Sequence, residues 1–146
     1  MSNETLSALN LDDDFKEALT VHDAARWGLE RPGPLEVWVK LFPASAPDQI
    51  FQARLLWHFY PDEPPSLKFR DPSTGRLDIP GAWPQVRGFR PGCLDACVNW
   101  TLEGMNLHPE WKTDSRYRWD PRGNALLRIL RTLQDELDDH FQGRSQ

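Results

Sequence analysis

Apolar and polar residues alternate from Leu35 to Leu41, with Leu35, Val37, Val39 and Leu41 set against Glu36, Trp38 and Lys40. A period of two marks a strand with one buried face. The Arg31-Pro32-Gly33-Pro34 cluster ahead of it breaks the chain. Ala44 to Asp48 has turn composition, and the aromatic run from Ile50 to Phe59 is then of strand type. The two strands are expected to pair as a hairpin. Tyr60-Pro61-Asp62-Glu63-Pro64-Pro65 is neither helix nor central strand, because its prolines lack donors and fix φ. A rigid, extended connection to a short third strand, Leu67 to Phe69, follows.

Two segments carry helical spacing. Asp12, Asp13 and Asp14 stand ahead of Phe15, Ala18 and Leu19, which predicts a short helix from about Asp12 to Ala25 whose acidic start suits its dipole. Leu126, Ile129, Leu130, Leu133 and Leu137 predict a long helix from Pro121 to about Phe141, with Asp120 as its cap. Between the strands and this helix, Asp71 to Gly92 is rich in Pro, Gly and Asp and is expected to cross the surface as a long irregular segment. The order of elements implies an α+β chain without βαβ alternation or repeats.

The 146 residues suit one domain spanning 1–146. With 39% hydrophobic residues and seven Trp and seven Phe, the chain has enough apolar surface to build a core. Trp38, Trp57 and Trp100 are expected to fill that core or shield the long loop. A formal charge of -5 argues against nucleic acid as a partner, since such binding draws on clustered Lys and Arg. No apolar run reaches the roughly 18 residues of a membrane span, and Met1-Ser2-Asn3-Glu4 lacks a secretory pattern. A cytoplasmic protein is expected, with no membrane partner. In that compartment the two cysteines are free thiols.

Their spacing excludes more than it selects. Cys93, Cys97 and His108 offer neither CxxC nor HxxxH, so no metal is expected. The three residues between the cysteines also fail the CxxC redox motif. Each thiol has a bland reading as a small buried hydrophobe. Cys97 stands as the alternative nucleophile to Cys93.

Three landmarks carry a resemblance. Tyr60-Pro61-Asp62-Glu63-Pro64-Pro65-Ser66-Leu67-Lys68-Phe69 is similar to the YPxxPPxxxF signature of ubiquitin-conjugating enzymes. Cys93-Leu94-Asp95 resembles that family's catalytic CLD, with Trp100 seven residues on, close to where the family places a Trp. Gln85, in Trp83-Pro84-Gln85-Val86, lies eight residues before Cys93, the offset at which the family's His-Pro-Asn-Ile stretch puts its catalytic Asn. The resemblance covers about Leu35 to Leu137. It implies a UBC-like fold: an antiparallel sheet of about four strands, an N-terminal helix and a long C-terminal helix.

The implied activity is transfer of a ubiquitin-like modifier. Cys93 would take the modifier as a thioester from an adenylating, activating enzyme and yield it to an amine on a protein substrate, with no cofactor at this step. Gln85 would steady the oxyanion, a role worth about 3 kcal/mol where such donors have been removed. Its side chain is one methylene longer than Asn, which shifts the donor by roughly an ångström. Asp95, Trp100, His108, Asp114 and Asp120 are candidate supporting residues. His108 has a plain surface reading, and Asp114 and Asp120 have plain readings as caps or solvated charges; as site residues they would act on the proton affinity of an incoming lysine.

The chain departs from the family in places. Asp62 and Glu63 replace a hydrophobic contact for RING-type ligases, and Thr101-Leu102 replaces the family's Ser-Pro. Conjugation without a separate ligase is the simpler expectation. The acidic first helix implies an activating partner with a basic docking face. Extra residues lie between Phe69 and Trp83 and between Trp100 and Asp120, and the family's last two helices are missing, as in its shorter, divergent bacterial relatives. The alternative from a different class is a non-catalytic binding module for a ubiquitin-like protein, which the Gln at position 85 favours and the Cys-Leu-Asp context opposes.

Overall fold

The alternation at Leu35 to Leu41 becomes the second strand of an antiparallel sheet. A computed structural model describes residues 2–146 and orders the sheet β1 (Glu30–Gly33), β2 (Glu36–Leu41), β3 (Phe51–Leu56) and β4 (Ser66–Arg70). β2 and β3 form the expected hairpin, with Val37 opposite Leu55 and Val39 opposite Ala53. Leu67 and Phe69 of β4 continue the same buried face. β1 was not expected, because Pro32 and Gly33 read as a break. An edge position tolerates Pro, since the missing N–H faces away from the ladder, and the β1–β2 pairing is irregular between Glu30 and Gly33.

Two long helices cover the buried face. α1 (Asn3–Ala18) begins nine residues earlier than the sequence pattern suggested, at the Ser2 cap, whose hydroxyl accepts the Thr5 N–H at 3.1 Å. Asp12, Asp13 and Asp14 therefore lie inside the helix rather than at its start. A separate turn of helix, α2 (Ala24–Trp27), closes on Gly28 in the left-handed conformation and buries Trp27. Six further short elements lie between β4 and the last helix: β5 (Phe89–Arg90), β6 (Asp95–Ala96), α3 (Leu102–Leu107) and three 3-10 turns at Pro80–Ala82, Pro91–Cys93 and Pro109–Lys112. α4 (Ala125–His140) sends Leu126, Ile129, Leu130, Leu133 and Leu137 into the core. Its cap is Asn124, whose side chain accepts the Leu127 N–H at 2.9 Å. Asp120 does not cap it: that carboxylate instead binds the Arg122 side chain and main chain, because Gly123 at φ 72 turns the chain once more before the helix starts.

Tyr60 joins the layers. Its ring is buried against Trp57, and its hydroxyl donates to Asp14 of α1 while accepting the Leu126 N–H of α4 at 3.0 Å. Burial, with the Asp14 carboxylate beside it, pushes the Tyr60 hydroxyl pKa well above its ordinary value. Trp57 fills the core as expected, whereas Trp38 and Trp100 are half-buried and Trp27 and Trp83 take the other deep positions. Trp38 lies on the outer sheet face under the Arg70 guanidinium, 4.2 Å from its ring centre. No helix among the described residues is long and apolar enough to cross a membrane.

Candidate active site

The irregular segment after β4 ends in a small platform that presents Cys93. β5 pairs antiparallel with β6, and the 3-10 turn Pro91–Cys93 links them. Pro at the first position of that turn has its φ already set. Cys93 is exposed at its end. The next residue, Leu94, sits at φ 57 and ψ 39, a left-handed conformation that a side chain other than Gly, Asn or Asp seldom adopts. Packing of the Leu94 side chain on the core offsets that strain, so the reversal that lifts Cys93 outward is built in.

Three interactions brace the platform. Arg90 and Asp95 stand opposite each other in the β5–β6 pair and form a two-pronged ion pair at 2.8 and 2.7 Å. Lys68 reaches from β4 and donates to the Leu94 carbonyl at 2.6 Å. Cys97 N–H donates to the Gly88 carbonyl at 2.8 Å. Behind the platform, buried Thr101 donates to the Ala96 carbonyl at 2.6 Å and accepts the Gly104 N–H at 3.0 Å. Gly104 is required there, since a Cβ would lie 1.9 Å from the Val98 carbonyl oxygen.

Electrostatics single out Arg90. Its hydrogen bond to Asp95 is the main reason its proton is held above the usual guanidinium range, and the charge of that carboxylate adds to the effect. Asp95, a candidate from the sequence, is buried and serves to orient Arg90. Trp100 is half-buried and packs its ring 6.1 Å from that of Phe89 in β5, so it supports the platform from below.

Gln85 lies on the same side of the molecule as the thiol turn. Gln85, Val86, Phe89, Pro91 and Gly92 line one cleft of about 320 Å³, whose lining reaches Gly92, the residue before Cys93. The Gln85 side chain is exposed, and its amide donates one N–H to the Arg144 carbonyl at 3.4 Å. A primary amide has two donors, and Arg144 takes one of them.

The remaining candidates form their own group. His108 binds Glu110 at 2.9 Å and stacks on Trp111 at 4.2 Å. Asp114 is engaged by Arg116, whose hydrogen bonds hold its carboxyl below the usual range. Asp120 is held down to about 2 by Arg122 in the same way. Among the described residues none of these three shares a hydrogen bond or ion pair with Cys93 or Gln85. Asn99 links the group to the platform by donating to the Tyr117 carbonyl at 2.9 Å.

Asp62, Glu63 and Leu102 also meet, at a separate cleft of about 360 Å³ that Trp119 and Lys112 help to enclose. Trp119 donates its indole N–H to the Pro61 carbonyl at 2.8 Å, fixing that wall. No group of three or more His, Cys, Asp or Glu among the described residues is arranged to hold a metal ion.

Sequence reasoning missed Lys68, Arg90, Leu94 and Arg144 as parts of the site. The Arg90–Asp95 pair had a signal, opposite charges flanking the thiol turn. The contacts of Lys68 and Arg144 join residues far apart in the chain and left none. No protein-family model, curated protein or solved structure matches the chain.

Proposed function

We propose that this chain conjugates a ubiquitin-like protein through Cys93 and is a divergent, UBC-like member of the ubiquitin-conjugating enzymes working in the cytoplasm. The observation that carries the reading is the exposed Cys93 thiol at the end of a braced turn whose preceding residue, Gly92, lines a cleft together with Gln85. In the first step the Cys93 thiolate attacks the carbonyl of the modifier's thioester on an activating enzyme. A C–S bond to Cys93 forms, and the C–S bond to the partner's cysteine breaks with its thiolate leaving. In the second step a substrate amine attacks the Cys93 thioester and gives its proton to solvent. The C–N bond forms and Cys93 leaves as thiolate. The other Gln85 N–H is the donor for the oxyanion in that second step.

Asp95 orients Arg90, and Trp100 supports β5. His108, Asp114 and Asp120 belong to the segment that borders the platform on the side of Asn99. Asp62, which is exposed, and Glu63 give the cleft they share with Leu102 an acidic edge where a RING-type ligase would need a hydrophobic contact, which supports conjugation without such a ligase.

The test is incubation with the cognate activating enzyme, its modifier and ATP, followed by non-reducing electrophoresis. A thiol-sensitive adduct is expected, lost in Cys93→Ala and kept in Cys97→Ala. Binding of the modifier without any adduct would instead make the chain a non-catalytic module, a reading favoured by the engagement of the Gln85 amide with Arg144.

A further inference from the structure

The segment after α4 runs back across the residues that carry Gln85. Gln85 N–H donates to the Gly143 carbonyl at 2.8 Å, Gln142 N–H to the Gln85 carbonyl at 2.8 Å, and Ser145 N–H to the Trp83 carbonyl at 2.9 Å. Pro84 and Arg144 face each other in an antiparallel bridge. Gln142 and Ser145 thereby become a wall of the same cleft that Gln85 lines. A pairing this short is marginal in water by itself, so something else must hold it down.

Arg144 is the anchor. Its guanidinium lies 4.1 Å over the Phe51 ring, donates to the Ile50 carbonyl at 2.8 Å, and reaches the Gly81 carbonyl and the Gln49 side chain at 3.3 Å each. Those groups sit at the start of β3 and in the Pro80–Ala82 turn, so one side chain fastens the added strand to two parts of the scaffold. A planar fork with five donors suits this task, and an ammonium does not replace it. The carbonyl of Arg144 itself accepts the Gln85 amide.

We propose that Arg144 is the positioning residue of the Gln85 amide. It touches no reacting atom. It clamps residues 142–145 against residues 83–85, and that strand fixes both the main chain and the amide of Gln85 at the cleft. The inference rests on the proposed role of Gln85 in conjugation.

Two readouts on the full chain test it. The first is amide hydrogen exchange at the Gln85, Gln142 and Ser145 N–H groups, which needs no catalysis. Protection at all three is expected to fall at least about tenfold in Arg144→Ala, with a smaller loss in Arg144→Lys, since exchange follows local opening. Unchanged protection overturns the clamp.

The second readout uses a short peptide ending in glycine, supplied as its 2-mercaptoethanesulfonate thioester, which acylates Cys93 directly. Free lysine then discharges the acyl-enzyme. Acylation is expected to stay within about twofold of wild type in Arg144→Ala, while discharge falls about tenfold, the scale of an ångström-level misplacement. Arg144→Lys should recover part of the rate, and the Gln85→Ala/Arg144→Ala pair should be no slower than Gln85→Ala alone. Equal slowing of acylation and discharge, or multiplicative losses in the double variant, overturns the proposal. If Gln85→Ala discharges as fast as wild type, the conjugation role of Gln85 fails, and the exchange data still decide whether Arg144 is its anchor. Should Arg144→Ala fail to fold, Arg144→Gln and Arg144→Lys carry the same comparison.

Discussion

The ammonium of Lys68 donates to the main-chain carbonyl of Leu94 at 2.6 Å, tying the sheet to the left-handed residue that follows Cys93. That link makes the thiol turn part of the scaffold instead of a loose surface loop. Together with the Arg90–Asp95 pair it brackets Cys93 on both sides in sequence.

Lys68→Met is therefore expected to act on the site more than on the fold. The methionine keeps most of the stem and removes the donor, so stability should fall by about 1.5–3 kcal/mol, the value of a hydrogen bond to a charged group. Discharge of a Cys93 acyl-enzyme by free lysine should fall up to about tenfold as the turn loosens. Urea unfolding and single-turnover discharge check the two parts. A variant that loses stability with no change in discharge would separate the platform from the chemistry.

The start of α4 gives a sharper comparison. Asn124 accepts the Leu127 N–H at 2.9 Å and donates to the Asp14 carbonyl of α1 at 3.0 Å, so it both caps one helix and joins it to another. Asn124→Ala should cost about 1–2 kcal/mol in urea unfolding. Asp120→Ala, at the position the sequence pattern favours as cap, should leave the unfolding midpoint where it is, because the Asp120 carboxylate is exposed and engages only Arg122. Equal losses in the two variants would refute the placement of the cap.

What the sequence made legible follows from range. The β2–β3 hairpin and the apolar face of α4 rest on local periodicity, and both emerge as expected. α1 is under-read because its inward face includes Ser7, which bonds to the Tyr60 N–H, while Leu6 and Leu9 are half exposed. Its apolar pattern therefore marks the wrong stretch, and the acidic run at Asp12 draws the boundary inward. β1 is missed because Pro32 is a breaker everywhere except at an edge. In the candidate site, Cys93 and Gln85 are named by the resemblance to a family's motifs, and the structure lines one cleft with Gln85 and Gly92, the residue before Cys93. Leu94 in its left-handed conformation, and the clamps from Lys68 and Arg144, depend on contacts across 26 and 59 or more residues, which no local pattern encodes.

Asp14 yields a pH-dependent prediction whose sign is fixed by its surroundings. Burial raises its carboxyl above the ordinary 3.8, Glu17 and Asp13 push in the same direction, and the hydrogen bond from Tyr60 works against them. A carboxyl with a raised folded pKa binds its proton more tightly in the folded protein than in the unfolded chain. Its contribution to stability is complete below 3.8 and is lost as pH rises through the folded value. Above that window the ionised Asp14 works against folding. Asp14→Asn keeps the shape and an acceptor for the Tyr60 hydroxyl but carries no charge to desolvate. The stability of Asp14→Asn relative to wild type should therefore rise between about pH 3.5 and about pH 7, the direction set by this linkage. Urea midpoints of both proteins across that range measure it. A flat difference would show that the Tyr60 hydrogen bond cancels burial at this position, and one that shrinks with rising pH that it outweighs burial; either refutes the prediction.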